Sequence, residues 1–188
     1  MALTNIITAF GLAGAAGLNA YIPLLIVAVV GKLGLLKLSE PFDILTTWPA
    51  IIILTVLLII EFVVDKIPGA DHVNDVVQTF VRPAAGAILF AANTGVVTGI
   101  DPTVALGLGL VLAFGAHAAK AAARPVVNVS TGGIGAPVMS VLEDVTSATT
   151  SLIAIFLPPL LLIIVLLIGY VVWRRMQRRR TARASEAA

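Results

Sequence analysis

Long uncharged runs divided by short polar stretches set the pattern of this chain. Stretches without Asp, Glu, Lys or Arg occupy residues 1–31, 44–60, 83–100, 102–116, 125–142 and 145–173. Several approach the ~20 residues needed to cross ~30 Å of hydrocarbon. The pattern predicts an all-α fold: a polytopic membrane helix bundle of about six transmembrane helices, with a short interfacial helix and a Gly-rich, candidate re-entrant segment.

The first helix is expected over Asn5 to Gly31, interrupted by Asn19, Tyr21 and Pro23, with Gly11, Gly14 and Gly17 offering a small-residue surface for close helix contact. The second runs from Trp48 to Lys66 and stops at "IPGAD". In "DHVNDVVQTFV", Val73, Val76, Val77 and Phe80 recur at helical spacing opposite Asp71, Asn74, Asp75 and Gln78, which predicts a short helix lying at the interface. The third and fourth crossings cover Pro83 to Thr98 and Thr103 to Ala123, the latter ended by Arg124 and Pro125. "NVSTGGIGAP" is too rich in Gly and polar groups for an ordinary span and reads as a loop or a re-entrant segment. Residues 139–173 would make about 52 Å of helix, so Pro158 and Pro159 are expected to divide them into two crossings, with one kinked helix as the alternative.

Composition reinforces the class: 59% of residues are hydrophobic and 12% charged. The net charge of +2 comes from the tail, where six of twelve basic residues follow Trp173. Residues 1–173 carry six basic and nine acidic groups, a balance of −3, and form the single helical domain, while residues 174–188 form a basic tail expected to lack regular structure. Arginines directly after an apolar helix read as a cytoplasmic stop signal that meets anionic lipid headgroups rather than nucleic acid. Six crossings with both termini cytoplasmic place Lys66, Arg82, Lys120 and Arg124 inside and only Lys32 and Lys37 outside, in keeping with the positive-inside rule. Residues 1–31 contain no Lys or Arg, so they read as a retained helix rather than a secretory signal. Cysteine is absent, which removes thiolate chemistry and disulfides.

Charge inside apolar sequence is the candidate chemistry, because such groups are costly at membrane depth. Glu61 and Asp65 lie one turn apart on the second helix. His117, Lys120 and Arg124 form a basic stripe on the fourth, suited to anionic partners or an anionic solute. Glu143 and Asp144 open an apolar helix whose hydroxyls, Thr146 to Ser151, are expected to bond back to their own helix. Asn19, Asp71, Asp75, Arg82 and Asn128 are further candidates for binding an ion or solute. Two histidines forty-five residues apart, with no H-E-x-x-H and no G-x-S-x-G, argue against a zinc or serine hydrolase. No cofactor is expected, and the identity of any metal stays open.

"FGLAGAAGLNAYIPLL", "EFVVDKIPGADHVNDVVQTFVRPAAGA", "HAAKAAARPVVN" and "SVLEDV" resemble an uncharacterised family of small bacterial integral membrane proteins, the domain of unknown function 4126 type. The resemblance implies residence in a bacterial cytoplasmic membrane and supplies no substrate. A looser similarity to cation exporters with Glu-x-Gly-Asp-Lys repeats fails where Val63 and Val64 replace the glycine. The expected function is a non-enzymatic one: a small secondary transporter or channel-like protein for an ion or polar solute, in a bundle that could form homo-oligomers. The alternative is a membrane scaffold or lipid-headgroup binding protein in which the same charges form a structural network.

Overall fold

A computed structural model describes residues 2–64, 70–94, 99–131 and 135–186. Seven α-helices form among the described residues: α1 (Ala2–Leu18), α2 (Tyr21–Lys32), α3 (Trp48–Val64), α4 (Ala70–Thr94), α5 (Pro102–Thr131), α6 (Gly135–Phe156) and α7 (Pro158–Glu186). A 3₁₀ turn, Phe42–Thr46, precedes α3. No strand is present among them. Three of the helices contain segments long and apolar enough to cross a membrane, Pro102–Thr131, Pro137–Phe156 and Pro158–Arg178, and the fold is the all-α bundle of a membrane protein.

The predicted first crossing is two helices. Asn19 breaks it, because its side-chain oxygen takes the backbone N–H groups of both Tyr21 and Ile22 at 3.0 Å. This local cap starts a new helix and outcompetes continuation of the old one. Pro23, in the first turn of α2, lacks only an N–H that would have no intrahelical partner. The chain then doubles back. Lys32, ending α2, sits 4.6 Å over the Trp48 ring that opens α3. Ser39 bonds the Ala91 and Ala92 carbonyls near the end of α4.

The predicted interfacial helix and third crossing are one continuous helix, α4, running through Pro83. Its apolar residues Val76, Val77 and Phe80 face outward, while Gln78 and Arg82 are buried. The physical reason is the solvent: in lipid the polar face seeks the bundle interior and the apolar face needs no burial. Likewise α5 does not stop at Arg124 but passes through Pro125 to Thr131. Prolines persist within such helices because neighbouring groups and local adjustments satisfy the freed backbone. The Gly-rich stretch is divided between the end of α5 and the start of α6, where the Gly135 N–H donates to Thr131 Oγ1 at 2.9 Å; residues 132–134 lie outside the described residues. Leu157 with Pro158 separates α6 from α7 as predicted. The α7 helix continues through the basic segment to Glu186, where the sequence predicts no regular structure.

α1 is the central element, packed by α4, α5 and α6, while α2 and α3 form a flanking pair and α7 lies at the periphery. Phe10 meets Phe90 edge-on at 5.1 Å between ring centroids, and Thr8 Oγ1 donates to Ala154 O at 2.7 Å. With Gly86 also against Ala13 and Ser147 against Ala15, both α4 and α6 run antiparallel to α1. Glycines permit the closest approaches: a Cβ on Gly17 would strike the Ala113 backbone, and one on Gly109 the backbone of Gly86. Gly11 and Gly17 thus serve the packing role the sequence predicts, whereas a Cβ on Gly14 would meet no other element within 4 Å.

Candidate functional site

Glu61, in the last turn of α3, is the carboxylate that the sequence places deepest in apolar surroundings, and it is 2% exposed. It pairs with Arg82 of α4. Arg82 reaches inward because Gln78, Arg82, Ala85 and Leu89 share one face of α4, all buried. Arg82 Nη2 donates to Glu61 Oε1 at 3.3 Å, and Nη1 lies 3.2 Å from His117 Nδ1. A guanidinium only donates, so His117 Nδ1 must accept; the ring proton then sits on Nε2, 3.1 Å from Thr79 Oγ1.

A second ion pair lies alongside. Lys120, three residues from His117 on α5, pairs with Glu143 of α6 and donates to Leu18 O at 3.2 Å. The side chains of this pair are 4% and 7% exposed. Asp144 accepts from Asn19 Nδ2 at 2.8 Å, so the residue that breaks the first helix also ties the break to α6. Ser147 donates across the bundle to Ala15 O at 3.0 Å, contrary to the expected bond within its own helix. Thr146 and Ser151 do bond back, to Leu142 O and Ser147 O.

The ends of α1, α2 and α3 thus meet the interiors of α4, α5 and α6 at one level. α4 begins about eight residues, and α5 ends eleven residues, beyond Gln78 and Lys120 respectively, roughly 12–16 Å of helix at 1.5 Å per residue. The charged layer is therefore interior to the bundle and not at its rim. Removing one partner from a buried pair is expected to cost about 3–5 kcal/mol, so each pairing also locks its two helices together.

Of the predicted site residues, Asn19, Glu61, Arg82, His117, Lys120, Glu143 and Asp144 are brought together here. Asp65, and the side chains of Asp71, Asp75, Arg124 and Asn128, lie outside the described residues. The sequence analysis missed Tyr21, Gln78, Thr79 and Ser147. Gln78 lies beside Tyr21, and buried atoms without a hydrogen-bond partner among the described residues include Gln78 Oε1 and Arg82 Nε. They are an acceptor and a donor one turn apart on α4, short of the partner that buried polar atoms ordinarily have. The Gln78–Arg82 spacing, i to i+4, is the available signal; the two faces of this segment are as the sequence predicts, but the polar one turns into the bundle. Among the described residues no group of three metal-ligating side chains converges.

A family model described as Domain of unknown function (DUF4126) matches residues 6–178. No curated protein and no solved structure matches the chain.

Proposed function

We propose that this chain, which belongs to the DUF4126 family, moves an ion or small polar solute across a membrane, through the interior layer where its broken first helix meets two ion pairs. One observation carries the reading: the α1–α2 break at Asn19 lies inside the bundle, against Lys120, Glu143, Asp144 and Ser147. Discontinuous helices whose ends face buried polar groups are the means by which many transporters hold solutes near mid-membrane. The Gln78 and Arg82 atoms add a donor and an acceptor at the same level.

The alternative scaffold reading draws on the same ion pairs, since paired charges can hold helices without moving anything. In the transport reading the chain sits in a bacterial cytoplasmic membrane with the arginines of α7 at the cytoplasmic face. The start of α1 and the Ser39–Glu40 loop then lie at the opposite face, a departure from the expectation of two cytoplasmic termini, because the break at Asn19 makes α1 and α2 a hairpin where one crossing was expected.

Flux separates the two. In proteoliposomes, wild-type protein is tested with a panel of cations and small anions across pH, beside Glu61→Gln, Glu143→Gln and the tail control Glu186→Gln. Loss of flux in the first two, with helical content kept and the control unaffected, supports transport. Flux unchanged in both site variants, or none from the wild type, leaves the scaffold reading.

A further inference from the structure

We propose that the Lys120 ammonium is the built-in occupant of a monovalent-cation seat at the broken end of α1, a seat that accepts small primary ammonium ions. The inference goes beyond the transport reading, and the seat rests on geometry alone.

Two electron-rich groups meet Nζ. Leu18 O, from the last residue of α1, accepts at 3.2 Å, and Glu143 supplies a carboxylate. Leu18 is one of the four terminal residues whose carbonyls lack an intrahelical donor, so it presents the negative end of the helix dipole. Next to it Asn19 holds the Asp144 carboxylate, and one turn back Ala15 O holds the Ser147 hydroxyl. Three elements, α1, the α1–α2 link and α6, thus bring carbonyl, carboxylate and hydroxyl oxygens to one buried place.

The two ion pairs differ in the cation they suit. Around Arg82, the partners Glu61 and His117 take two separate nitrogens of a planar fork. Around Lys120, a carbonyl and a carboxylate share a single nitrogen. An ammonium is a compact point charge with rotatable donors, so what this place recognises is a charge of that size with N–H groups, and the four-carbon stem merely tethers it. A free ammonium of the same size makes the same contacts.

Shortening the tether tests this. Lys120→Ala leaves the carbonyl and Glu143 without their cation and opens the volume of the stem. Purified Lys120→Ala in nanodiscs is unfolded thermally during titration with methylammonium chloride, and separately with tetramethylammonium chloride, which has the charge but no N–H, at matched ionic strength. The expected result is a saturable rise of about 5 °C once methylammonium exceeds its dissociation constant tenfold, absent with tetramethylammonium. The rise should vanish in Lys120→Ala/Glu143→Gln and in Lys120→Met, whose side chain refills the stem. Equal responses to the two salts, or a methylammonium rise that persists without Glu143, overturn the seat. If Lys120→Ala folds too poorly to purify, its cell-free synthesis into nanodiscs with each salt gives the same contrast: more folded protein with methylammonium supports the seat, and equal recovery overturns it. None of these readouts needs flux, so a transport failure leaves the seat standing and a seat failure leaves transport to be judged by its own assay.

Discussion

Removing the Arg82 guanidinium, by Arg82→Met, should destabilise the protein far more than removing both members of its ion pair. Glu61 and Arg82 side chains are each 1% exposed and 3.3 Å apart. At an effective dielectric of about 20, two unit charges at that separation attract by roughly 5 kcal/mol. Folding into the bundle has already stripped both groups of solvent, so Arg82→Met leaves a buried carboxylate with its main cation gone, and the expected loss is about 3–5 kcal/mol. For a chain of this length that corresponds to a Tm drop of roughly 6–20 °C. Replacing both charges, in Glu61→Gln/Arg82→Met, removes the uncompensated charge, and neutral substitutes for buried pairs are often well tolerated. The double variant should therefore be more stable than Arg82→Met, with a coupling of about 2 kcal/mol or more. Thermal unfolding of the wild type, both single variants and the double variant in nanodiscs, followed by circular dichroism, measures the cycle. Single losses that simply add in the double variant would refute the pairing and with it the charged layer.

Gly109→Ala should cost about 1–3 kcal/mol by overpacking, because its Cβ would meet the Gly86 carbonyl and the Phe90 and Ala87 atoms of α4, whereas Gly14→Ala should be neutral or stabilising; unfolding of both variants checks the contrast. The Asp101 carboxyl lies below the usual carboxylate range, chiefly because the Thr103 N–H bonds it, with the Thr103 side chain and the Val104 N–H adding to this. A depressed folded value means that its contribution is complete above the unfolded value near 3.9 and is lost as pH falls through the folded one; Tm against pH should lose that segment of its slope in Asp101→Asn, which keeps the cap. Reporter fusions at the start of α1 and in the Ser39–Glu40 loop should fall on one side of the membrane and a fusion after α7 on the other; N- and C-terminal fusions on the same side would count against the hairpin of α1 and α2. Replacing Arg174, Arg175 and Arg178 with glutamine should weaken retention on anionic liposomes by about 1 kcal/mol per arginine near the surface, measured by flotation, while a neutral-lipid sample stays unchanged.

The sequence by itself determined the class. Uncharged runs of near-spanning length admit a helical membrane bundle and little else, since backbone groups in lipid must be satisfied within the segment. It also located the two main breaks, at Asn19 and at Pro158, because a capping amide and adjacent prolines act on the nearest backbone whatever the surroundings. Seven of its candidate site residues are in the charged layer, as costly charges in apolar sequence must find one another.

The tertiary structure decided direction and pairing. Residues 70–82 have a polar and an apolar face in the sequence, but only packing in lipid turns Gln78 and Arg82 inward and Phe80 outward, the reverse of the arrangement in water. Asn19 marks a break without saying whether α2 continues onward or folds back; the Trp48 and Ser39 contacts settle that, and they lie sixteen or more residues away along the chain. Glu61 could have met any of several cations, and its pairing with Arg82 follows from the packing of α3 beside α4, a contact between segments that no local pattern encodes.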